Sequence, residues 1–274
     1  MTKEKQMARV QFSEMVAEYA ANSFLIDNVG LDLFIGADIE KFIAQNAQVI
    51  YQNIDDANFS GALIHYRGKV FVALNTNQSL RMRYYSAAHE MCHLAFTKSL
   101  FGSDSKKLND MALSASFDEE RAADHFAAAV MLPKDAVTKI WDKYVQNQPE
   151  PPLTMVKEAV IRIANVSSVP YTAVFRRLTE LNLLSNHQLI KWDETHWQTY
   201  LAQSDFPPSL LDQKIPFKQF SGLADFVQAM VETHQMTFME AANLLTDSDP
   251  QRALKYLNLR QEQVERLASE DDDE

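Results

Sequence analysis

The sequence changes from a helical to an alternating pattern at Gly61-Ala-Leu-Ile-His-Tyr66 and Lys69-Val-Phe-Val-Ala-Leu-Asn75. Both stretches are rich in residues that favour strands, and Arg67-Gly68 between them has the length of a tight turn. We therefore predict a β-hairpin, with Gln48–Gln52 as a possible third strand. Residues 70–74 could form a sheet edge to which a substrate strand adds, or an edge without a ligand; both alternatives stay open.

Most of the remaining chain has helical character. Glycine makes up only 6 of 274 residues, well below the usual share of about 7%. Apolar residues recur at helical spacing in 10–26 and 37–47, and residues 81–98 contain no Gly or Pro. A further helix is expected from Ser116-Phe-Asp-Glu119, which has the pattern of a capping box, to just before Pro133. We predict an α+β fold, mainly helical, with a small antiparallel or mixed β-sheet packed against helix 81–98.

The domain organisation is predicted from a proline-rich segment, Gln146-Asn-Gln-Pro-Glu-Pro-Pro152, which has the composition of a linker. Beyond it, two short helical stretches flank a break at Ser167-Ser168, in the manner of a helix-turn-helix. We expect a first domain at 1–145, a helix-turn-helix-like segment at 153–190 and an acidic helical C-terminal region at 191–274.

The strongest chemical signal is His89-Glu-Met-Cys-His93, an HExxH pattern within a predicted helix. Four residues correspond to about 400° of helix, so the two histidines lie about 40° apart and can share a metal ion. Glu90 projects about 100° away from His89, toward the open side of such an ion. The alternative is a pair of ordinary helical histidines.

A catalytic zinc ion needs three protein ligands and an open position for water, so a third ligand is expected elsewhere. Downstream lies Glu120-Arg-Ala-Ala-Asp124, whose two acidic residues share one helix face. We predict Glu120 as the ligand, with Asp124 accepting a hydrogen bond from a ligand histidine. Glu119 is the rival ligand, although we assign it to the capping box. The alternative for the whole run is a solvated, acidic helix start.

These motifs resemble the ImmA/IrrE metallopeptidases, which have a gluzincin-type site. The resemblance covers roughly residues 45–135 and rests on the strand before the site, on Arg83-Tyr-Tyr-Ser-Ala-Ala-His89-Glu-Met-Cys-His93 and on the run from Glu120 to Pro133. The family usually has Gly where this chain has Cys92, and Glu-Ala-Asn in place of Ala122-Ala-Asp124. Neither departure removes a ligand.

The resemblance implies that the domain at 1–145 is a zincin-like metallopeptidase. It implies zinc as the cofactor, held by His89, His93 and Glu120, with Glu90 as the general base. It also implies a cytoplasmic endopeptidase whose substrate is a specific protein, such as a helix-turn-helix repressor of a mobile element or stress response. An alternative is a metal-binding regulator that inactivates a repressor by binding it without cleavage.

Composition excludes several other classes. Hydrophobic residues make up 46% of the chain, which argues against disorder, and a single cysteine cannot form an internal disulfide. No long apolar run is present, so we expect a cytoplasmic protein without membrane contact. The net charge is −11, and residues 191–274 carry 7 Lys/Arg against 16 Asp/Glu. Such a surface repels phosphate backbones, which argues against nucleic-acid binding. The alternative is a DNA-binding regulator that uses residues 155–184 and has a vestigial metal site. The oligomeric state is left open.

Other reactive residues receive structural interpretations. Cys92 is predicted as a small buried thiol, because it could become a fourth ligand only if the helix bent. His125 points away from the Glu120 face and is predicted not to bind metal. Tyr84, Tyr85 and His65 are near enough in sequence to be oxyanion donors, but packing is the preferred interpretation for each.

Overall fold

The computed structural model describes residues 3–145, 148, 150–184, 189–220 and 222–271. The chain divides into two compact units, Met1–Lys218 and Gln219–Glu274. The predicted linker lies partly outside the described residues, at 146, 147 and 149. The predicted boundaries near 145–153 and 190 fall within the first unit, and the division into functional domains stays a prediction.

The described part of the first unit confirms the predicted α+β class. Its elements in chain order are α1 (Lys3–Asn28), α2 (Ile39–Asn46), β1 (Gln48–Gln52), β2 (Gly61–Tyr66), β3 (Lys69–Asn75), α3 (Leu80–Lys98), α4 (Ser105–Ala112), α5 (Glu119–Met131), α6 (Lys134–Val145), α7 (Leu153–Ser167), α8 (Tyr171–Glu180) and α9 (Glu194–Ala202).

The sheet of this unit is mixed. β2 pairs antiparallel with β3, with Gly61 opposite Leu74, and β1 pairs parallel with β3, with Gln48 opposite Phe71. The order is therefore β2-β3-β1, and the expectation that residues 70–74 form an edge is wrong. The backbone groups of β3 form hydrogen bonds on both sides, because β2 pairs with one side and β1, from an earlier part of the chain, pairs with the other. β2 lies at one end of this order and pairs with β3 alone among the described strands.

Small residues bring the helices of the core together. α1 buries Ala17 and Ala21, and α5 buries Ala123 and Ala127, so these two helices approach closely. α5 packs on its other side against α3, the helix that contains both site histidines. Alanine favours the helical state and leaves room for a neighbouring backbone. The close packing of α1, α5 and α3 fixes the position of α5 beside the histidines.

The start of α3 is fixed by polar contacts. The Ser79 hydroxyl accepts a hydrogen bond from the Met82 backbone N–H and caps the helix. Arg81 is 1% exposed and donates to Asp212 Oδ1 at 2.6 Å and to the Tyr171 hydroxyl at 2.9 Å. A buried guanidinium is stable only when its donors are satisfied, so these bonds hold the first turn of α3 rigidly.

The start of α5 differs from the prediction. The helix begins at Glu119, and the Asp118 side chain accepts a hydrogen bond from the Arg121 backbone N–H at 3.2 Å. The predicted capping box from Ser116 to Glu119 is therefore wrong. Asp118 is held in place because its own N–H donates to the Ser13 hydroxyl at 2.8 Å. The positive end of the helix dipole stabilises its negative charge.

The second unit contains β4 (Gln219–Phe220), α10 (Leu223–Glu232), α11 (Phe238–Leu245) and α12 (Pro250–Asp271). The helical character predicted for this region is confirmed. α11 begins with a capping box, in which Thr237 and Glu240 bond reciprocally to backbone N–H groups, and it packs against both α10 and α12. Among the described helices of the whole chain, none is both long and apolar enough to cross a membrane.

Candidate metal centre

His89 and His93 lie one turn apart on α3 and face the same side. Their Nε2 atoms are 3.2 Å apart and their ring centroids 5.1 Å apart. The helix is continuous through both residues, so its geometry puts the two side chains on one face, one turn apart. Both rings thus present one nitrogen atom to the same point in space.

Glu120 reaches that point from α5. Its carboxylate oxygens lie 3.4 Å from His89 Nε2 and 3.6 Å from His93 Nε2. One ligand atom from each of the three residues lies within 4.8 Å of the others. A tetrahedral zinc ion with bonds of about 2.0–2.2 Å needs ligand atoms roughly 3.3–3.6 Å apart, so the spacing and the donor set both fit zinc. The structure brings the three residues together, and their role as ligands stays a prediction.

Two further carboxylates of α5 lie beside the Nδ1 atoms of the two histidines. His89 Nδ1 lies 3.1 Å from Asp124 Oδ1, and His93 Nδ1 lies 2.9 Å from Glu119 Oε1. A carboxylate accepts the Nδ1–H bond, which fixes the tautomer and leaves the Nε2 lone pair for a metal ion. The sequence predicted this position for Asp124 but missed it for Glu119.

The contact between His89 and Asp124 changes the proton affinity of both groups. The hydrogen bond from His89 lowers the pKa of Asp124, so this carboxylate stays ionised. Burial alone would lower the pKa of His89, but Asp124 and the neighbouring acids raise it above its usual range. Asp124 therefore increases the basicity of the His89 imidazole. A more basic imidazole is a stronger electron-pair donor to a metal ion.

Glu90 lies on the sheet side of the histidines, against β2. It is 7% exposed, and the Leu63 backbone N–H donates a hydrogen bond to its carboxylate. A Cβ atom at Gly61 would come within 3.0 Å of Glu90 Cγ and 3.1 Å of its Oε1. A side chain at residue 61 would therefore displace the glutamate from this position by a few tenths of an ångström.

Burial raises the pKa of Glu90, although the two histidines oppose the shift. A carboxylate of raised pKa is a better proton acceptor near neutral pH than an exposed one. The environment of Glu90 therefore suits a general base.

A cavity of about 720 Å³ opens in front of these groups. β2 lines one side through Leu63 and His65, and α3 lines the floor from Ser86 to Thr97. Glu120 is 77% exposed at the α5 side, so solvent and a chain segment can reach the cluster. A cleft with a strand edge on one side and convergent polar groups at its floor is typical of an active site.

The next residues are those that the sequence analysis assigned to packing and not to the site. Cys92 is buried, and burial raises its pKa, in agreement with an inert thiol. His125 is outside the cluster, as predicted, and its Nε2 lies 2.8 Å from Glu18 Oε2. Tyr85 borders the cleft but donates its hydroxyl to the Asp124 carbonyl at 3.4 Å, and His65 lies exposed on β2. The oxyanion donor stays unassigned.

Comparison with known families agrees with this geometry. The family model described as the IrrE N-terminal-like domain, of the M78 peptidases, matches residues 44–179, about half of the chain. The match runs from the last residues of α2 into α8 and contains every residue of the cluster. No curated protein and no solved structure shows a significant match to the chain. The chain belongs to the ImmA/IrrE family, a family of peptidases.

Proposed function

We propose that the protein is a zinc-dependent endopeptidase that hydrolyses a specific protein partner, a helix-turn-helix repressor. The observation that carries this proposal is the convergence of His89, His93 and Glu120 within 4.8 Å, at the floor of an open cleft beside Glu90. Membership of a peptidase family supports the reaction class. The repressor as substrate is supported only by the resemblance to the family, and a cytoplasmic location stays a prediction.

In the proposed reaction, different residues of the chain have different roles in peptide hydrolysis. His89, His93 and Glu120 would hold the ion, and Asp124 and Glu119 keep the imidazoles oriented. Zinc, when bound, supplies a Lewis acid that polarises the peptide carbonyl and acidifies water. Glu90 takes a proton from the attacking water and returns it to the leaving amine. The N–H of Leu63 holds the Glu90 carboxylate in position for both transfers.

The outer edge of β2 is suited to hold the substrate. In the described sheet, β2 pairs only with β3, so its other side offers backbone donors and acceptors apart from the Leu63 N–H, which already donates to Glu90. An extended segment could add there as a further strand, alongside α3 and within reach of Glu90. This geometry requires an unfolded or flexible segment in the substrate, which favours an endopeptidase acting on a loop or linker.

The test is the Glu90→Gln variant of the full-length, zinc-loaded chain. We expect cleavage of a co-expressed repressor and of denatured casein to fall on the order of 10³-fold, because the proton acceptor is removed. The zinc content should stay unchanged, since Glu90 is not one of the three converging residues. Glu262→Gln, an exposed substitution of the same type on α12, should cleave as the wild type does. Cleavage that persists in Glu90→Gln would reject the assigned role.

A second candidate function is a metal-binding regulator that inactivates a repressor by binding it. The acidic region 191–274, with 7 Lys/Arg against 16 Asp/Glu, favours this candidate because it suits a basic partner. The repressor would then lose DNA binding yet keep its full length on a gel. Truncated repressor in the presence of wild-type protein, and intact repressor with Glu90→Gln, would reject this candidate.

A further inference from the structure

Helix α12 exposes a line of apolar side chains that its own unit does not cover. Leu254, Leu257 and Val264 are 58%, 41% and 56% exposed. The helix buries a different face, where Ala253 and Tyr256 are 5% and 8% exposed, in its packing against α11. α12 is therefore apolar on two faces, and only one of them has a described partner within the unit.

The exposed residues follow the spacing of a coiled coil. Leu254, Leu257, Gln261 and Val264 stand at intervals of three, four and three residues, which are successive a and d positions of a heptad. We call these four residues the α12 stripe. Three are apolar, and Gln261 is the polar residue at an a position. A single polar side chain at a is a known device for fixing register and the number of helices.

The flanking charges indicate which partner fits. With Leu254 at a, Arg260 falls at position g and Glu265 at position e of the following heptad. In a parallel two-stranded coil, g of one helix faces that e of the other, so two copies would form two Arg260–Glu265 pairs. An antiparallel arrangement centred on the α12 stripe would instead bring the two Arg260 side chains together. The charges are thus self-complementary in the parallel orientation.

The position of Glu265 agrees with this arrangement. Its carboxylate accepts a hydrogen bond from Gln261 Nε2 at 2.9 Å, so it already lies beside an a position of the stripe. We propose that a second copy of this chain docks on the α12 stripe, in parallel and in register, as a short coiled-coil dimer.

Sedimentation equilibrium over a concentration series tests the association. We expect the full-length chain to approach the mass of two chains, and Leu257→Glu to have the mass of one chain throughout. The matched control is Leu113→Glu, an 85% exposed leucine of the first unit, which should dimerise as the wild type does. A wild-type mass of one chain at every concentration, or a Leu257→Glu dimer as strong as the wild type, would overturn the proposal.

A charge exchange tests the pairing. Arg260→Glu and Glu265→Arg should each weaken association about tenfold at low salt, because two attractive pairs become repulsive. The double variant Arg260→Glu/Glu265→Arg should recover most of the wild-type affinity. Failure of the double variant to recover would reject the parallel pairing.

A cysteine cross-link tests the orientation. In a parallel, in-register dimer the two copies of residue 261 face each other, so Gln261→Cys should form an interchain disulfide on mild oxidation. Glu262→Cys, one residue further and off the stripe, should not. The native Cys92 is 1% exposed and does not compete. Equal cross-linking of the two variants, or none in Gln261→Cys, would contradict the proposed geometry.

Discussion

Helix α5 takes part in two histidine–carboxylate clusters that differ in one decisive respect. On one face, Glu120 approaches His89 and His93, whose Nε2 atoms point to a shared position. On another face, His125 has its Nε2 2.8 Å from Glu18, a residue of α1. The residue types are the same in both clusters, yet only the first leaves imidazole nitrogens directed at an open cleft.

In the second cluster, an arginine binds the carboxylate. Arg177 is 2% exposed and donates to both carboxylate oxygens of Glu18, at 2.8 and 2.9 Å. A guanidinium beside the carboxylate takes the place that a cation would need and repels a second one. Whether a histidine–carboxylate cluster can hold a metal ion therefore depends on which groups already contact its donor atoms. The His125 cluster joins α1, α5 and α8, whereas the His89 cluster has three donor atoms close enough together to hold one ion.

The largest predicted effect separates the two clusters directly. His89→Ala should weaken zinc binding by well over 100-fold, because one of three ligands is lost, whereas an orienting partner costs about 10- to 100-fold. His125→Ala should leave zinc affinity unchanged. Titration with a zinc-chelating indicator measures both variants. Equal losses in the two would mean that the clusters do not differ as described.

The next effect concerns stability and its pH dependence. Burial alone would raise the pKa of Glu18, but hydrogen bonds from His125 and Arg177 lower it to about 2, against an ordinary 4.5. An ionised Glu18 therefore stabilises the fold above pH 4.5, and this contribution is lost as the pH falls from 4.5 toward 2.

Glu18→Gln should accordingly reduce the free energy of unfolding by about 2 to 3 kcal/mol at pH 7. Urea unfolding at a series of pH values measures the difference from the wild type. The difference should shrink on acidification below pH 4.5, and one that stays constant down to pH 2 would contradict the assigned ion pairs. Glu262→Gln, an exposed position of α12, is the matched control and should change little.

A smaller effect is expected from the orienting carboxylate of the open cluster. Asp124→Asn keeps the size of the side chain but removes its charge, so His89 loses its anionic partner. Zinc affinity should fall about 10- to 100-fold while the fold is retained. Competition with a chelator of known affinity measures the change. A loss as large as that of His89→Ala would indicate that Asp124 is itself a ligand.

Local patterns made the elements and the HExxH pair predictable. The hairpin follows from alternation within fifteen residues, and the spacing of His89 and His93 is a property of one helix. Glu120 was predictable because a catalytic zinc site needs a third protein ligand, and the run Glu120-Arg-Ala-Ala-Asp124 offers a carboxylate on one helix face. The fold class and the three converging residues were thus accessible before the structure.

Contacts between distant segments were not predictable in the same way. The pairing of β1 with β3 puts β3 inside the sheet, which a hairpin pattern cannot reveal. The bond of Glu119 to His93 was missed because Ser116 resembles a helix cap, whereas Asp118 is the cap. Arg177 and Glu18 lie 159 residues apart, and no local pattern marks a charge as buried.

The smallest predicted effect tests the glycine beside the general base. Gly61→Ala would place a Cβ atom 3.0 Å from Glu90 Cγ, so the carboxylate must move by a few tenths of an ångström. We expect peptide cleavage to slow on the order of 10-fold, because small misplacements of a reacting group are costly. Zinc affinity should not change. Gly68→Ala strains the turn of the same hairpin through its left-handed φ but meets no atom within 4 Å, so it controls for destabilisation of the hairpin and should leave cleavage unchanged.

The most direct test compares two neighbouring glutamates, Glu119 and Glu120, in their effect on bound zinc. Zinc content and affinity are measured for purified wild type, Glu120→Gln and Glu119→Gln, side by side. If His89, His93 and Glu120 hold one ion, the wild type binds one zinc per chain, Glu120→Gln loses well over 100-fold in affinity, and Glu119→Gln loses about 10- to 100-fold. A wild type that binds no zinc, or a larger loss in Glu119→Gln, would contradict the account.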